Sequence, residues 1–360
     1  MIEETRTVFW ENGQVCMIDQ RILPGKFEIN RYTTVQEVAE AIQTMVVRGA
    51  PALGASAGFG MALAAQNSPA TTVEGLLHDL TAAGDVISRS RPTAVNLSWG
   101  VARMMKCARE ASLQSVDVIR RALLDEAQKI ADEDIEINKR MGAYGAELVP
   151  DDATIIHHCN TGSLAAVGWG TALGVVRSAF FQGKRLHVLV DETRPRLQGA
   201  RLTSWELKNL GIDHTIIADG ASGHYMRRHG VDLCLVGADR IAANGDTANK
   251  VGTYNLAVLA HENHVPFYVV APFSTVDLTT QHGDLIEIEE RTPDEITTVL
   301  GQRIAPEGVK AGNPAFDVTP NHYITAIVTE YGVIRPPLVV NLCKLGERVA
   351  AGEKPTPIPA

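Results

Sequence analysis

Residues 231–250, V-D-L-C-L-V-G-A-D-R-I-A-A-N-G-D-T-A-N-K, are the stretch from which the fold can be inferred. The run 233–236 is apolar at every position, which is typical of a strand buried on both faces of a parallel sheet, although a buried helix gives the same pattern. In open α/β sheets, ligands bind beyond the carboxyl ends of the strands, so we expect Asp239 to project toward a ligand. The alternative is a structural role, in which Asp239 caps the following helix or pairs with Arg240.

The composition limits the classes of function. A chain of 360 residues is long enough for two domains, and its hydrophobic fraction of 45% is typical of a soluble globular protein. Lys and Arg number 33 against 42 Asp and Glu, which gives a formal net charge of −9. A nucleic-acid surface needs a basic patch, so this balance argues against nucleic-acid binding. It permits a local basic pocket for a small phosphorylated ligand.

Targeting and cysteine signals point to a reducing compartment. The N-terminal residues M-I-E-E-T-R lack the basic and apolar regions of a signal peptide. The small-residue run 49–65 is too short and too rich in Gly, Ala and Ser to span a membrane. The five cysteines are scattered without a C-x-x-C motif, which argues against a disulfide framework and a thiolate zinc site. We therefore expect a cytoplasmic protein without membrane contact or a metal site.

Residues 1–145 are predicted to form a mainly helical N-terminal domain with a short β-hairpin. The hairpin spans 7–18 and contains an Asn-Gly dipeptide, which favours two-residue turns. Thr34 and Glu37 form a capping-box pattern, and the apolar residues after them lie on one helical stripe. Three further segments show a helical period: 71–88, 94–110 and 115–140.

Two loops of this domain carry an arginine ahead of a predicted helix start. In the first loop, Arg48, Gly49 and Ala50 precede Pro51, a residue suited to the first turn of a helix. The glycine also lets the backbone approach a ligand closely. In the second loop, Arg91 is followed by Pro-Thr. A helix N-terminus beside an arginine can bind an anion, whereas the structural alternative is a solvated arginine at a turn.

After a join at 142–152, the pattern changes to alternating strands and helices. It predicts an α/β domain over 146–352 with a mostly parallel, doubly wound sheet, followed by a disordered tail over 353–360. The glycines at 168–174 miss the dinucleotide fingerprint by one residue and no Walker loop is present, which argues against a dinucleotide-dependent enzyme. The predicted strands are 154–159, 186–191, 214–219, 232–237, 266–271 and 323–328.

Several predicted strand ends carry reactive or anion-binding groups. Cys159 follows the first strand and Asp239 the fourth, and because the carboxyl ends of parallel strands converge, the two can share a cleft. Residues 161–163 are predicted to open a helix whose N–H groups favour a thiolate or a phosphate. The alternative for Cys159 is a buried, inert thiol. His157 and His158 face opposite sides of the strand, which argues against a two-histidine metal site.

Six long blocks of the sequence resemble one enzyme family: R-G-A-P-A-L-G (48–54), R-P-T-A-V-N-L (91–97), H-C-N-T-G-S-L-A (158–165), D-E-T-R-P-R-L-Q-G-A-R-L-T-S-W-E-L (191–207), V-G-A-D-R-I-A-A-N-G-D-T-A-N-K-V-G-T-Y (236–254) and N-P-A-F-D-V-T-P (313–320). The sequence is similar to the S-methyl-5-thioribose-1-phosphate isomerases. Their superfamily includes the α, β and δ regulatory subunits of the guanine-nucleotide-exchange factor of translation initiation. The similarity runs from about residue 5 to 345 and shows no departure at the functional positions.

The resemblance implies a helical N-terminal domain beside a Rossmann-like α/β domain, in a homodimer without metal or organic cofactor. It implies an aldose–ketose isomerase of methionine salvage, whose small sugar substrate carries a phosphate on its anomeric oxygen. By the same resemblance, Cys159 and Asp239 are the catalytic pair. The substrate-binding residues that it implies are Arg48, Gly49, Ala50, Arg91, Gln198, Asn249 and Lys250.

The chemistry of such a substrate suggests roles for these residues. The anomeric phosphate prevents opening to a free aldehyde, so the ring C–O bond has to break with acid assistance. Our hypothesis is that Asp239, kept protonated by a dry pocket, donates to the ring oxygen. Cys159, as thiolate, then removes the proton at C2, and the enol intermediate is reprotonated at C1. Shared or reversed roles remain open, and a hydride shift from C2 to C1 is a rival route.

The remaining residues would bind the substrate. Arg48 and Arg91 are expected to clamp the phosphate with Lys250 as a further charge, while Asn249 and Gln198 hold sugar hydroxyls. Two alternative functions stay open. A ribose-1,5-bisphosphate isomerase shares the Cys/Asp pair but needs a second phosphate site, and a non-catalytic regulatory subunit would instead bind a translation factor.

Overall fold

The computed structural model describes residues 6–92 and 94–356 of the chain. Three parts of the chain lie outside the described range. They are residues 1–5 of the N-terminal segment that lacks signal-peptide features, Thr93 of the second arginine loop, and residues 357–360 of the predicted tail. Within the described range, no helix combines the length and the apolar character needed to cross a membrane.

The chain divides into two compact units. The first comprises Met1–Glu136 with Ser163–Gly170, and the second comprises Ile137–Gly162 with Thr171–Ala360. This division differs from the predicted boundary after residue 145 in two respects. The change of unit falls inside a continuous helix, and a short segment from the middle of the chain belongs to the first unit.

The predicted join at 142–152 begins inside that helix, α5 (Val116–Ala146). Its glycines suggested a break, but a Cβ on Gly145 would lie 2.3 Å from Cγ2 of Val175. Gly145 is therefore required for close packing of two segments of the second unit, and it does not end the helix.

The first unit contains a small antiparallel sheet with the order β1-β2-β3. Its strands are β1 (Val8–Glu11), β2 (Gln14–Ile18) and β3 (Ile29–Tyr32). The predicted hairpin is confirmed, since β1 and β2 pair antiparallel on either side of the Asn-Gly turn. The third strand is an addition that the sequence pattern did not indicate.

The rest of this unit is helical, as predicted. Before α5 the helices are α1 (Val35–Gln43), α2 (Ala50–Asn67), α3 (Val73–Ser90) and α4 (Val95–Glu110). Thr34 and Glu37 form the predicted capping box at the start of α1. Helices α2 and α4 pack closely, because a Cβ on Gly100 of α4 would lie 2.6 Å from the carbonyl oxygen of Gly54 in α2. This approach requires a glycine at position 100.

The second unit is built on a seven-stranded sheet with the order β16-β15-β10-β7-β4-β5-β6. All neighbouring strands pair in parallel except β16, which is antiparallel to β15 at the edge. Its strands are β4 (Asp152–His157), β5 (Arg185–Asp191), β6 (Asp213–Ile217), β7 (Leu233–Val236), β10 (Phe267–Val270), β15 (Ala326–Thr329) and β16 (Gly332–Ile334). The six predicted strands and the mostly parallel, doubly wound sheet are thus confirmed.

Alternate residues of these strands enter separate cores on the two faces of the sheet. On β4, Ile155 belongs to one core and Ile156 to the other, and Leu233 and Cys234 of β7 divide in the same way. Helices cover both faces, which explains why the strands are apolar at every position. The helices of this unit after α5 are α6 (Ala172–Phe181), α7 (Ser204–Leu210), α8 (Ser222–His229), α9 (Thr253–Glu262), α10 (Asp294–Thr297) and α11 (Leu338–Ala350).

A second sheet with the order β11-β8-β9-β14 follows from the polar half of the opening stretch. Strands β8 and β9 form an antiparallel hairpin immediately after Asp239. The expected helix start at this point is therefore wrong. The remaining strands are β8 (Arg240–Ala242), β9 (Thr247–Lys250), β11 (Val276–Asp277), β14 (Phe316–Thr319) and a separate pair, β12 (Thr298–Val299) and β13 (Gln302–Arg303).

The described part of the predicted disordered tail makes contacts with the second unit. Glu353 forms an ion pair with Arg348 of α11, and Oγ1 of Thr356 lies 2.5 Å from the hydroxyl of Tyr144. These contacts with polar side chains of α5 and α11 are an addition to the predicted disorder from residue 353 onward.

Candidate active site

The parallel sheet reverses its direction of growth between β4 and β7. From β4 the chain adds β5 and β6 on one side and then returns to add β7, β10 and β15 on the other. Open α/β sheets bind ligands at the carboxyl ends of strands beside such a switch point. His157 of β4 is in register with Leu235 of β7. Cys159 and Asp239 follow these two residues closely in sequence, so both lie beyond the strand ends at the switch point.

Cys159 is held in an unusual backbone conformation. It is buried, and its φ of 69° lies in the left-handed region, which is uncommon for a residue other than glycine. Its amide donates a hydrogen bond of 2.9 Å to Oγ1 of Thr193, and its carbonyl oxygen accepts one of 2.7 Å from Oγ1 of Thr203. Two threonine hydroxyls thus fix the peptide groups on both sides of the thiol. Such strain concentrates at functional sites.

The loop after Cys159 differs from the expectation. Residues 161–163 do not open a long helix, because only a short helical turn, Ser163–Ala165, follows and α6 begins at Ala172. Instead, Oγ1 of Thr161 accepts a hydrogen bond of 2.9 Å from the amide of Leu173 in the first turn of α6. Thr161 therefore joins this loop to the start of α6, where its hydroxyl satisfies one of the free amides of the first turn.

A buried carboxylate supports the same loop. Oε1 of Glu206 accepts a hydrogen bond of 2.7 Å from Nδ2 of Asn160. A Cβ on Gly162 would lie 2.4 Å from the Glu206 carboxylate oxygens, so a larger residue here would displace the carboxylate from its present position. Glu206 belongs to one of the resembling blocks, but no local sequence pattern indicated its contact with this loop.

The solvent exposure of Asp239 differs from the expectation. Its side chain is exposed, so the dry pocket predicted around it is absent from the described part of the chain. The physical reason is its place in the hairpin: the Asp239 amide donates a hydrogen bond of 2.9 Å to the carbonyl of Ala248 and leads directly into β8. Arg240, its predicted alternative partner, lies 3.8 Å from Asp277.

Asn249 and Lys250 are buried at the end of β9. Nδ2 of Asn249 donates a hydrogen bond of 3.0 Å to Oγ1 of Thr253 in the first turn of α9. Nζ of Lys250 donates to the carbonyl oxygen of Ala315 and lies 4.5 Å from the centroid of the Phe316 ring. Lys250 is therefore a desolvated cation oriented by a carbonyl and an aromatic face, as in cation–π pairs.

Gln198 is buried at the start of a short π-helical segment, Gly199–Thr203. Among the described residues, its Oε1 atom has no hydrogen-bond partner. The neighbouring glycine fixes the path of this segment, because a Cβ on Gly199 would lie 1.7 Å from the carbonyl oxygen of Asp191. A buried carbonyl without a donor is costly, and a ligand hydroxyl would satisfy it.

The other four candidates belong to the first unit. Arg48 precedes Gly49, whose φ is 101°, and Ala50 begins α2 with a proline in its first turn, as expected. A Cβ on Gly49 would lie 2.1 Å from the carbonyl oxygen of Ala165, so glycine is needed for close approach of two backbones of this unit. Arg91 caps the C-terminus of α3 and precedes α4, which begins at Val95. It therefore lies ahead of a helix start, as predicted.

Two adjacent buried histidines, His157 at the end of β4 and His158 directly after it, have pKa values that shift in opposite directions. His157 is fully buried, with Nδ1 2.8 Å from the carbonyl oxygen of Leu235, and burial lowers its pKa to about 4. Nδ1 of His158 lies 2.9 Å from Oδ2 of Asp191, and its Nε2 lies 2.9 Å from the carbonyl oxygen of Val251. Burial opposes a charge on His158, but the hydrogen bond to Asp191 and its negative charge outweigh burial and raise the pKa of His158.

His158, Asp191 and Asp219 place one ligand-type atom each within 4.8 Å of one another. Both His158 ring nitrogens are engaged in hydrogen bonds, and the Asp219 oxygens accept from the amides of Thr193 and Arg194. The hydrogen bonds therefore account for this cluster as a polar network that does not require a metal. No motif in the sequence indicated the His158–Asp191 contact.

Comparisons with known proteins place these features in context. The model of the Initiation factor 2 subunit family matches residues 46–336. The methylthioribose-1-phosphate isomerase of Roseiflexus castenholzii is 52% identical over 97% of this chain and 99% of its own, and that of Geotalea uraniireducens is 53% identical over 92% and 95%.

Two solved structures are also similar over nearly the whole chain. The 5-methylthioribose 1-phosphate isomerase from Pyrococcus horikoshii OT3 superposes with a TM-score of 0.91 at 50% identity, covering 95% of this chain and 96% of that one. A protein from A. fulgidus described as translation initiation factor eIF-2B, subunit delta, gives a TM-score of 0.88 at 46% identity, with coverages of 96% and 100%.

Proposed function

The chain belongs to the Initiation factor 2 subunit family, and from this membership we propose that it converts S-methyl-5-thio-α-D-ribose 1-phosphate to S-methyl-5-thio-D-ribulose 1-phosphate in methionine salvage. Relatives that are about half identical over nearly their full length carry the name of this isomerase, so the protein is an isomerase. The observation that carries the proposal is the position of Cys159 and Asp239 beyond neighbouring strands at the switch point of the sheet.

The proposed reaction needs an acid and a base on a small sugar phosphate. Cys159 acts at C2 of the sugar, because its backbone is held on both sides and its thiol therefore has a defined direction. Asp239 donates to the ring oxygen. Since Asp239 is exposed in the ligand-free chain, we propose that the bound substrate itself excludes water from this carboxyl group.

The proposed binding groups differ in how well their surroundings support them. Gln198 has a buried carbonyl oxygen without a donor, which suits a sugar hydroxyl. Lys250 is an oriented, desolvated cation that suits a phosphate, and Asn249 lies next to it on β9. Arg48 and Arg91 supply guanidinium groups for bidentate hydrogen bonds to the phosphate. Gly49 and Ala50 supply backbone amides at the start of a helix. No metal or organic cofactor is needed for this scheme.

Proton and hydride transfer remain the two routes from C2 to C1. Isomerisation in D₂O discriminates between them, since exchange through an enol brings solvent deuterium to C1 of the product. Complete retention of the substrate hydrogen favours the hydride route or a shielded proton transfer. In that case, a substrate carrying deuterium at C2 gives the isotope effect on the transfer step.

The test of the function is turnover of methylthioribose 1-phosphate by purified protein after treatment with EDTA. We expect isomerisation that does not fall after chelation. Ribose 1,5-bisphosphate is the control substrate, because it requires a second phosphate site in place of the methylthio group. Faster turnover of the bisphosphate would replace the proposed substrate, and loss of activity that added metal restores would overturn the cofactor-free scheme.

The similarity to a structure described as an exchange-factor subunit supports one further candidate, a non-catalytic regulatory subunit. We propose the enzyme instead, as a cytoplasmic homodimer. Light scattering of the pure protein together with the turnover assay separates the two: a dimer that isomerises the sugar supports the enzyme, and an inactive protein that binds a translation factor supports the subunit.

A further inference from the structure

His158 connects three segments that carry proposed site residues. It directly precedes Cys159 at the end of β4, and its Nε2 binds the carbonyl oxygen of Val251, the residue after Lys250. Its Nδ1 contacts Asp191, the last residue of β5, whose backbone carbonyl accepts a hydrogen bond from Thr193. The ring therefore lies at the junction of β4, β5 and β9.

The ring is also tightly enclosed. The His158 side chain is 1% exposed, and a Cβ on Gly252 would lie 2.7 Å from its Cε1 atom. Gly252 has a φ of 104° and immediately precedes α9. A ring confined in this way cannot flip, so Nδ1 stays next to Asp191 and Nε2 stays next to the carbonyl oxygen of Val251.

The acceptors constrain the protonation of the ring. A backbone carbonyl only accepts, so Nε2 of His158 carries a hydrogen toward Val251. The second hydrogen lies between Nδ1 and Oδ2 of Asp191, whose other oxygen, Oδ1, accepts from the hydroxyl of Ser222 at 2.7 Å. Burial raises the pKa of Asp191, while the hydrogen bonds from His158 and Ser222 and the charge of His158 act in the opposite direction. With one oxygen already accepting from Ser222, the arrangement fits a carboxylate that faces a ring donating from both nitrogens.

The charges around the ring favour a cation. Asp191 at the end of β5 and Asp219 after β6 both act on it, and Asp317 on β14 is near enough for its own pKa to respond to His158. The other titratable neighbour, His157 on β4, is uncharged at neutral pH because its pKa is about 4. The nearest basic side chain on β9, Lys250, interacts with Asp317.

We propose that His158 is a positioning residue, an imidazolium that joins Asp191 to the Val251 carbonyl and so fixes the ends of β4, β5 and β9 relative to one another. It does not touch the substrate. Its effect on Cys159 and Lys250 is to hold the backbone from which each side chain projects. What these two residues do rests on the proposed function, whereas the charge and the bonding of His158 do not.

The first experiment measures the ring directly in the unmodified protein. Selective ¹⁵N labelling of histidine and NMR at neutral pH report whether each ring nitrogen carries a hydrogen, and the His158→Gln and His157→Gln variants identify the two signals. We expect both nitrogens of His158 to be protonated and His157 to be a neutral ring. An unprotonated Nδ1 in His158 at neutral pH would overturn the proposal, whatever the activity of the protein.

The second experiment links the charge to catalysis. In Asp191→Asn the ring keeps a partner of the same shape but loses the anion, so we expect His158 to release its proton at lower pH. The ratio of kcat/KM in the variant to that in wild type should then fall by about tenfold from the acid to the alkaline side of this titration. Ser222→Ala is the matched control, since it removes only a neutral donor to Asp191, and its ratio should stay nearly constant with pH.

A ratio for Asp191→Asn that is low but independent of pH would show that the pair serves only to stabilise the fold, and it would overturn the positioning role. Absence of turnover in wild-type protein would count against the proposed function alone, because the NMR measurement still decides the state of His158.

Discussion

The amide of Cys159 donates a hydrogen bond of 2.9 Å to the hydroxyl of Thr193, and both residues have left-handed backbones, with φ of 69° and 64°. The same hydroxyl donates to the carbonyl oxygen of Asp191 at 2.9 Å. One buried side chain therefore links the segments after β4 and β5 and satisfies a donor and an acceptor that would otherwise be buried without partners. The thiol that we propose as the base is directed by this link.

Thr193→Val keeps the shape of the side chain and removes the hydroxyl. We expect a fall in kcat of about tenfold or more, because the Cys159 peptide loses a fixed partner, and a loss of about 1–3 kcal/mol of unfolding free energy for the unsatisfied groups. Thr193→Ser keeps the hydroxyl and should retain most activity. Steady-state kinetics and urea unfolding measure both effects, and equal kinetics in the two variants would contradict this account.

Cys159→Ser replaces the proposed base with a much weaker acid that stays protonated at neutral pH. Turnover of methylthioribose 1-phosphate should fall by about 10²- to 10⁴-fold, the usual contribution of a positioned proton-transfer group. Circular dichroism and thermal unfolding should remain close to wild type. The control is Cys343→Ser on α11, an exposed thiol whose loss should not alter kcat. A Cys159→Ser protein with near-wild-type turnover would remove this residue from its role.

Asp239→Asn removes the proposed acid while keeping the size of the side chain. Because the residue is exposed, the fold should be unaffected, and kcat should fall by about 10²- to 10⁴-fold. Asp284→Asn is the matched control, an aspartate whose side chain is 96% exposed and which no proposed step uses. Activity of Asp239→Asn within about twofold of the control would show that the acid is another group.

Gln198→Met removes the buried carbonyl oxygen that has no partner among the described residues. If that oxygen accepts a hydrogen bond from a substrate hydroxyl, KM should rise by about tenfold, or about 1.4 kcal/mol, with a smaller change in kcat. The variant without substrate should unfold within about 1 kcal/mol of wild type, because the unsatisfied acceptor and the amide donor are removed together. An unchanged KM would place the hydroxyl contact elsewhere.

His157 gives the stability of the protein a specific pH dependence. Its pKa is about 4 in the folded chain against an ordinary value of 6.5, so the unfolded chain binds the proton more readily between these values. The contribution is fully present above pH 6.5 and is lost as pH falls toward 4, amounting to roughly 3 kcal/mol. Urea unfolding of wild type and His157→Gln across this range should show that their difference in stability shrinks with acidity. A difference that does not vary with pH would contradict the buried neutral ring.

The parts of the fold that local patterns encode could be predicted from the sequence. The Asn-Gly dipeptide identified the first hairpin, and fully apolar runs identified the strands of the main sheet, because burial on both faces leaves no polar position. The placement of Cys159 and Asp239 beyond neighbouring strand ends followed from the parallel topology. Each of these inferences needs only the neighbouring residues and a general rule of sheet geometry.

The features that escaped prediction depend on contacts between distant residues. The strands β8 and β9 are short and partly polar, and they form because β14 and β11 pair with them from far along the chain. The same pairing leaves Asp239 exposed where a dry pocket was expected. Likewise, the sequence around Gly145 suggests a helix end, whereas its actual role is to make room for Val175. No residue close to His158 in sequence indicates that its partners are Asp191 and Val251.

The hairpin after Asp239 brings the proposed acid and the proposed cation to one place. Arg240 is in register with Ala248, so Asp239 lies across the ladder from the strand that ends in Asn249 and Lys250. The tip of the hairpin is anchored too, because the Asp246 carboxylate accepts hydrogen bonds from the amides of Gly283 and Asn321, and a Cβ on Gly245 would lie 2.8 Å from Cβ of Leu338. An inserted or deleted residue at the tip would therefore break these anchors and shift the register that sets the separation of acid and cation.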